Sequence, residues 1–296
     1  MSGFIGIEDI AGFAELAPYI SWYSDYTANT SSSQGVAGIG MLWGAKGSAC
    51  KDVYSPRLEA FTDLVDTNKT VPEIMFGFYE PDCDCSMSSD MSVSSAASAW
   101  DKLVVPLAAK GTVLGSPSMC KQYNEDFLTS FNSSIKQSWD VTSIHINKPN
   151  VSEAMKDVEY YVQKYQKPIW VSEFACVHDE DGFEPCTDQG DIDHFINDMV
   201  VYLENSTDVV AYGASNGAGL GKTWPLFDSP GSGELTKSGQ TYLNALKKLY
   251  VCESSFTCVL NILTCITKLS FWWLPWWSQP ESNRSSAKCY EYTIIW

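Results

Sequence analysis

The chain has 296 residues, 45% of them hydrophobic, which suffices for one large barrel or two ordinary domains and excludes general disorder. A formal net charge of -17, with no stretch that gathers Lys or Arg into a basic face, excludes nucleic acid as a partner class. The 13% of Phe, Trp and Tyr suits neutral ligands that stack on rings, of which sugars are the commonest class, although aromatic residues also fill cores.

Taken in chain order, apolar runs of β character fall at residues 4–7, 19–23, 36–42, 74–78, 112–115, 141–146, 168–174 and 209–213. Between them lie segments with apolar residues at spacings of three and four: SPRLEAFTDLVDTN, SSAASAWDKLVVPLAAK, SEAMKDVEYYVQKYQ and DIDHFINDMVVYLENS. Several open on Ser or Asp as N-caps, and a last helix from about Lys237 to Tyr250 closes the series. Eight βα units in about 250 residues is the size of a (β/α)8 TIM barrel, so the expected domain is 1–250. The alternative, a doubly wound open sheet, carries a Gly-rich phosphate loop after its first strand. The GAGLGK at Gly217 to Lys222 follows the last strand instead and reads as a loop.

Residues 251–296 change character, with four cysteines, a Trp272, Trp273, Trp276, Trp277 cluster and no barrel periodicity. Lys268 and Pro275 interrupt the apolar run, so a membrane span is not expected, and polar residues after it argue against a lipid-anchor signal. A non-barrel extension remains, open to three readings: a mispredicted exon, an interfacial anchor and the chain's sole membrane contact, or a packed extension. Nothing in the barrel requires it, so it is expected to be dispensable.

In such a barrel the chemistry sits at the carboxyl ends of the strands. The residues there are Trp22, Trp43, Glu80, Ser116, His145, Glu173, Tyr212 and Asn216, with Trp224 in the last loop. Glu80 ends IMFGFYEPD and Glu173 ends PIWVSEFAC, on the expected fourth and seventh strands, three units of about 31 residues apart. Two carboxylates about 5 Å apart are what a retaining glycosidase needs, one as acid/base and one as nucleophile. The bland reading of either Glu is a helix cap or an ion pair. His145 is open to three roles: orienting a carboxylate, binding a hydroxyl, or resting as a satisfied rim histidine. Trp43 and Trp224 are either stacking platforms or buried core. The 10 cysteines and 3 histidines lack zinc-site spacing, and HDEDG at 178–182 lacks that of a calcium loop, so no metal or cofactor is expected.

So many cysteines do not fit a reducing cytosol, and sequons stand at Asn29, Asn68, Asn132, Asn150, Asn205 and Asn283. The expected location is therefore extracellular or in a cell wall. Since MSGFIGIEDIAGF lacks the basic and apolar regions of a signal peptide, an incomplete amino terminus is preferred over unconventional export. Cys176 and Cys186 are close enough in sequence to clip the loop after the Glu173 strand, with a free pair as the alternative.

The motifs SWYSDY, GMLWG, GFYEPD, GSPS, SIH, PIWVSEFAC and GELTKSGQTYL, running from about Tyr19 to Tyr250, resemble the alkali-sensitive linkage protein-like fungal hydrolases of glycoside hydrolase family 128. The resemblance implies a retaining hydrolase of fungal cell-wall β-1,3-glucan, with Glu80 as acid/base, Glu173 as nucleophile and a β-glucan as the partner. Two departures stand out. Tyr79 replaces the family's Asn, which in related barrels meets the sugar 2-hydroxyl, and His145-Ile146-Asn147 replaces HWY. Losing such a transition-state contact commonly costs a hundredfold or more in rate, so a weak or inactive β-glucan-binding protein is the alternative.

Overall fold

The structure, a computed structural model, describes residues 1–6, 13–67, 71–85, 88–179, 182–228 and 234–250. Its strands are β1 (Ser2–Ile5), β2 (Trp22–Ser24), β3 (Ala37–Gly38), β4 (Gly40–Met41), β5 (Ile74–Phe76), β6 (Val113–Leu114), β7 (Thr142–Lys148), β8 (Ile169–His178), β9 (Glu184–Pro185) and β10 (Val209–Ser215). One parallel path runs β3-β2-β1-β10-β8-β7 and another β4-β5-β6. Ile39, whose N–H donates to Tyr23 O, joins β3 and β4 into one interrupted strand, and a parallel bridge from Gly115 to Val141 joins β6 to the start of β7. The ring is thereby closed as a (β/α)8 TIM barrel, and each of the eight expected runs supplies one of its strands. Ile7, at the end of the first run, lies outside the described residues. Only β9 was not foreseen; it pairs antiparallel with the end of β8.

The helices are α1 (Lys51–Thr67), α2 (Val93–Ala99), α3 (Val105–Ala108), α4 (Phe127–Ser134), α5 (Val151–Tyr165), α6 (Gln189–Asn205) and α7 (Lys237–Tyr250). Asn150 caps α5 by accepting from Glu153 N at 3.0 Å, and Asp188 caps α6 by accepting from Gly190 N and Asp191 N. A π-helical turn over Trp100–Val104 joins α2 to α3, next to Pro106, which has no N–H to continue the α ladder. The sequence reading passed over α4: it is short and Ser-rich, and only Leu128 and Phe131 anchor it.

Two buried layers follow from strand alternation. The larger lies between sheet and helices. The smaller fills the lumen with Ile5, Trp22, Met41, Phe76, Trp170 and Ala211, among others. There Trp22, Phe76 and Trp170 meet edge to face at centroid distances of 5.1–6.0 Å. Each such ring removes about 150–250 Å² from water, a gross contribution of about 4–6 kcal/mol. Gly3 and Gly213 make room, since a Cβ would stand 2.5 Å and 2.8 Å from the Trp22 ring. Above the aromatic plug comes a polar layer, in which Ser143 N donates to Ser116 Oγ (2.9 Å) and Ser143 Oγ to Ser172 Oγ (2.8 Å).

Disulfides join Cys50 to Cys85, Cys83 to Cys120 and Cys176 to Cys186. Of the sequon asparagines, Asn29, Asn132, Asn150 and Asn205 are exposed, whereas Asn68 and Asn283 lie outside the described residues. So does the whole of 251–296. Residues 1–246 form one unit, and of a second, 247–296, only the end of α7 is described. No described helix is long and apolar enough to cross a membrane.

Candidate active site

Glu80 follows β5, and Glu173 lies within β8, the fourth and seventh strands of the ring. A carboxylate oxygen of each and a ring nitrogen of His145 all fall within 4.8 Å of one another. Carboxyl groups about 5 Å apart can serve one glycosidic bond in a retaining mechanism, one at the leaving oxygen and the other at the anomeric carbon.

The two side chains are positioned differently. At Glu80 the backbone takes a left-handed φ of 47°, uncommon for a residue with a Cβ and typical of functional sites. Its N–H donates to Ser118 O at 2.9 Å, which fixes the turn against the next strand end. Its Oε1 lies 2.8 Å from His145 Nδ1, and its Oε2 accepts from Ser88 Oγ at 2.7 Å. Ser88 belongs to a loop that Cys50–Cys85 and Cys83–Cys120 hold at two points. Asp82 secures the same loop by accepting from Cys120 N (3.0 Å) and Lys121 N (3.1 Å).

Glu173 owes its aim to a bulge. Register runs from Ile144 opposite Val171 to His145 opposite Glu173, and from Tyr212 opposite Val171 to Ala214 opposite Phe174. β8 therefore carries one extra residue relative to both neighbours. Ser172 and Glu173 consequently both turn inward, while Val171 and Phe174 pack among the helices. Tyr26 OH donates to Glu173 Oε2 at 3.2 Å, and Tyr79 OH lies 3.5 Å from Oε1 and 3.3 Å from Oε2.

Burial pushes the Glu173 carboxyl above the usual range, with His145 opposing, the charge of Glu80 adding to it, and the two tyrosine hydroxyls opposing. Burial alone would lower His145, but the charge of Glu173, the hydrogen bond to Glu80 and the charges of Glu80 and Asp82 raise it. Burial, and then the charge of Glu173, hold Tyr26 and Tyr79 well above the ordinary phenol range. Both therefore remain neutral donors. The Glu80, His145, Glu173 trio also brings enough ligand atoms together for a cation; at Asp82, Cys83 and Cys120 the two sulfurs are already spent in a disulfide.

The remaining expected site residues divide sharply. His145 is fully buried and bonded to Glu80, which selects the carboxylate-orienting role among the three left open. Tyr79 stacks on Trp43 at 6.2 Å, and the Arg57 guanidinium lies 5.4 Å from the Trp43 ring centre, so that ring is adjacent to the site but covered. Asn216 ties the last loop, its Oδ1 accepting from Leu226 N at 2.7 Å. Trp22, Tyr212 and Trp224 require correction. Trp22 begins β2 instead of ending it, so it sits low in the lumen as part of the plug. β10 runs on to Ser215, which leaves Tyr212 mid-strand and facing the helix layer. Trp224 is fully buried, braces Phe174 and Phe195, and donates from Nε1 to Ser215 O at 2.8 Å. Sequence reasoning missed Tyr26 and Ser88. Tyr26 closes SWYSDY, two residues past the observed strand and with φ 63°, so a rule that takes the residue just after each strand passes it by. Ser88 carries no local signal; the disulfides and the backbone bonds from Ser89 N to Tyr79 O and from Met91 N to Pro81 O bring it to Glu80.

A parallel eight-stranded barrel with a close glutamate pair at the carboxyl ends of its fourth and seventh strands has the framework of a glycoside hydrolase. The chain belongs to the glycosyl hydrolase catalytic core family, whose model matches residues 2–242. It is similar to a GH128 subgroup VII oligosaccharide-binding protein from Trichoderma gamsii (39% identity, TM-score 0.76, 84% of this chain and 95% of that one). A protein of the same description from Cryptococcus neoformans is 41% identical (TM-score 0.76, 83% and 93%). At 24% identity a GH128 endo-β-1,3-glucanase from Sorangium cellulosum shares the fold (TM-score 0.64, 82% and 98%). Alkali-sensitive linkage protein 1 of Schizosaccharomyces pombe is 28% identical over 178 residues, 57% of this chain. The chain spans 32% of the length of that curated relative.

Proposed function

We propose that this chain binds β-1,3-glucan oligosaccharides over the Glu80–Glu173 pair and cleaves them slowly or not at all. The observation that carries this reading is Tyr79. In place of a short amide it brings a phenol ring that stacks on Trp43 and a hydroxyl that approaches both oxygens of Glu173. With Tyr26 as a second donor, two hydroxyl hydrogens draw on the Glu173 carboxylate before any sugar arrives, about half of its four acceptor sites, which lowers its power as a nucleophile. The printed descriptions of the relatives at 39% and 41% identity, oligosaccharide-binding proteins, support the same reading. Three disulfides favour an oxidising location, so the fungal cell wall or the space outside the cell is where we place it.

One observation favours a second reading, retaining hydrolysis: the carboxylate oxygens lie within 4.8 Å. In that case Glu80, oriented by His145 and Ser88, protonates the leaving oxygen while Glu173 attacks the anomeric carbon. Glu80 then takes a proton from the water that releases the product. Calorimetric titration of the full chain with laminari-oligosaccharides, followed by analysis of the same sample for products, separates the two. Saturable binding with the sugar recovered intact supports the first reading. Products formed at an ordinary enzymic rate, about 1 s⁻¹ or faster, support the second, and absence of binding rejects both.

A further inference from the structure

Phe183 is 55% exposed, whereas every other Phe and Trp among the described residues is buried or half-buried. Single exposed apolar side chains are ordinary on protein surfaces, and exposure alone says nothing. The place of this one does. β8 carries Glu173 and continues five residues further to His178, roughly 16 Å of extended chain past Glu173, paired with β7 as far as Cys176 and free of it over the last two residues. β9 folds back on it with Val177 opposite Pro185 and His178 opposite Glu184, so Phe183 stands at the outer end of a hairpin rooted in the strand of Glu173.

That hairpin is fastened on two sides. Cys176 and Cys186 close its base, Cys186 N donates to Cys176 O at 3.0 Å, and Thr223 Oγ1 donates to Thr187 O at 3.2 Å from the loop after β10. An apolar ring held out on a fastened support is preorganised to stack on a ligand without a large ordering cost. Its exposed neighbours on the hairpin are the polar His178 and Glu184. A flat ring among polar groups matches a pyranose, which has an apolar C–H face and a rim of hydroxyls. A net charge of -17 disfavours an anionic ligand, and a neutral glucan carries no such penalty.

We propose that Phe183 is a distal subsite, a stacking platform for a sugar unit of a neutral glucan chain whose other end occupies the Glu80–Glu173 pair. The inference rests on the glucan-binding reading above. Because the ring stands far above Glu173 along the strand, only a longer oligosaccharide reaches it. The test is calorimetric titration of the full chain and of Phe183→Ala and Phe183→Trp with laminaritriose and laminarihexaose, melting temperatures being recorded for all three proteins. Phe183→Ala is expected to weaken hexaose binding about fivefold to tenfold, the size of one stacking contact, and to leave triose binding within about twofold. Phe183→Trp should retain hexaose affinity. Equal hexaose affinity in wild type and Phe183→Ala, or equal losses for both sugars, overturns the subsite while leaving glucan binding standing. Failure of the wild type to bind either sugar overturns the glucan reading itself.

Discussion

Glu80 and Glu173 meet within a few ångströms, yet one is held by a loop and the other by a sheet. Glu80 depends on a left-handed turn, one serine, one histidine and a segment fastened by two disulfides. Glu173 depends on the longest strand of the barrel, a bulge shared with both neighbours and two tyrosine donors. The difference teaches that a carboxylate on a rigid strand is aimed by register, whereas one on a loop must be aimed by crosslinks and by hydrogen bonds from distant segments. Each arm should therefore fail under a different perturbation.

The largest effect is expected from the crosslinks. Cys50–Cys85 closes a loop of 35 residues and Cys176–Cys186 one of 10. Replacing the first pair by serine should cost about 4 kcal/mol and the second about 3 kcal/mol, read from denaturant midpoints. Only the first should also weaken laminaritriose binding markedly, because only it frees the Glu80 arm, whereas the second loosens the Phe183 hairpin and should touch longer sugars alone. Equal losses of affinity from the two pairs would break the comparison.

Next comes pH. Burial raises Asp157 on α5 to about 7, against the charge of Lys148, whose Nζ lies 3.8 Å away, and the hydrogen bond from Tyr123 N. Glu173 and His145 are raised as well. In each case the folded state keeps a proton that the unfolded chain sheds, so the associated stability is present at low pH and is lost as pH rises. For Asp157 the window runs from its ordinary value of 3.8 up to about 7. The melting temperature should be higher at pH 5 than at pH 8, by about 4 °C or more, and Asp157→Asn should flatten the slope. A melting temperature that rises over that interval would contradict this.

The smallest effects are single donors. Tyr26→Phe should cost about 1 kcal/mol, because it removes a donor to the buried Glu173 carboxyl. Ser88→Ala should cost about as much and should weaken ligand binding through Glu80. If Tyr26→Phe left the denaturant midpoint unchanged, the bond to Glu173 would not be one that holds this arm.

The legibility of the molecule follows the same division. Apolar runs bounded by turn residues showed all eight strands, because a barrel strand is buried on both faces and its composition says so. Glu80 and Glu173 were legible as carboxylates closing such runs. What depends on contacts between distant segments was not. Trp22 was misplaced because β2 begins there, which sets the ring low in the lumen, and Tyr212 because β10 runs two residues further, to Ser215, leaving Tyr212 mid-strand on the face that packs against the helices. Trp224 was open between a rim platform and buried core, and its burial and hydrogen bond to Ser215 O make it a buttress. The bulge at Ser172 and the reach of Ser88 leave no mark in local composition.

The central claim is that Tyr79 holds the nucleophile quiet on a barrel that still binds glucan. It is tested most directly by single-turnover cleavage of saturating laminarihexaose by wild type and Tyr79→Asn, with the anomeric configuration of the product followed by NMR. The account predicts that the wild type leaves the sugar intact over hours, while Tyr79→Asn cleaves it at least tenfold faster and with retention. Cleavage by the wild type at an ordinary enzymic rate, or a Tyr79→Asn variant that binds hexaose yet cleaves it no faster, would contradict it.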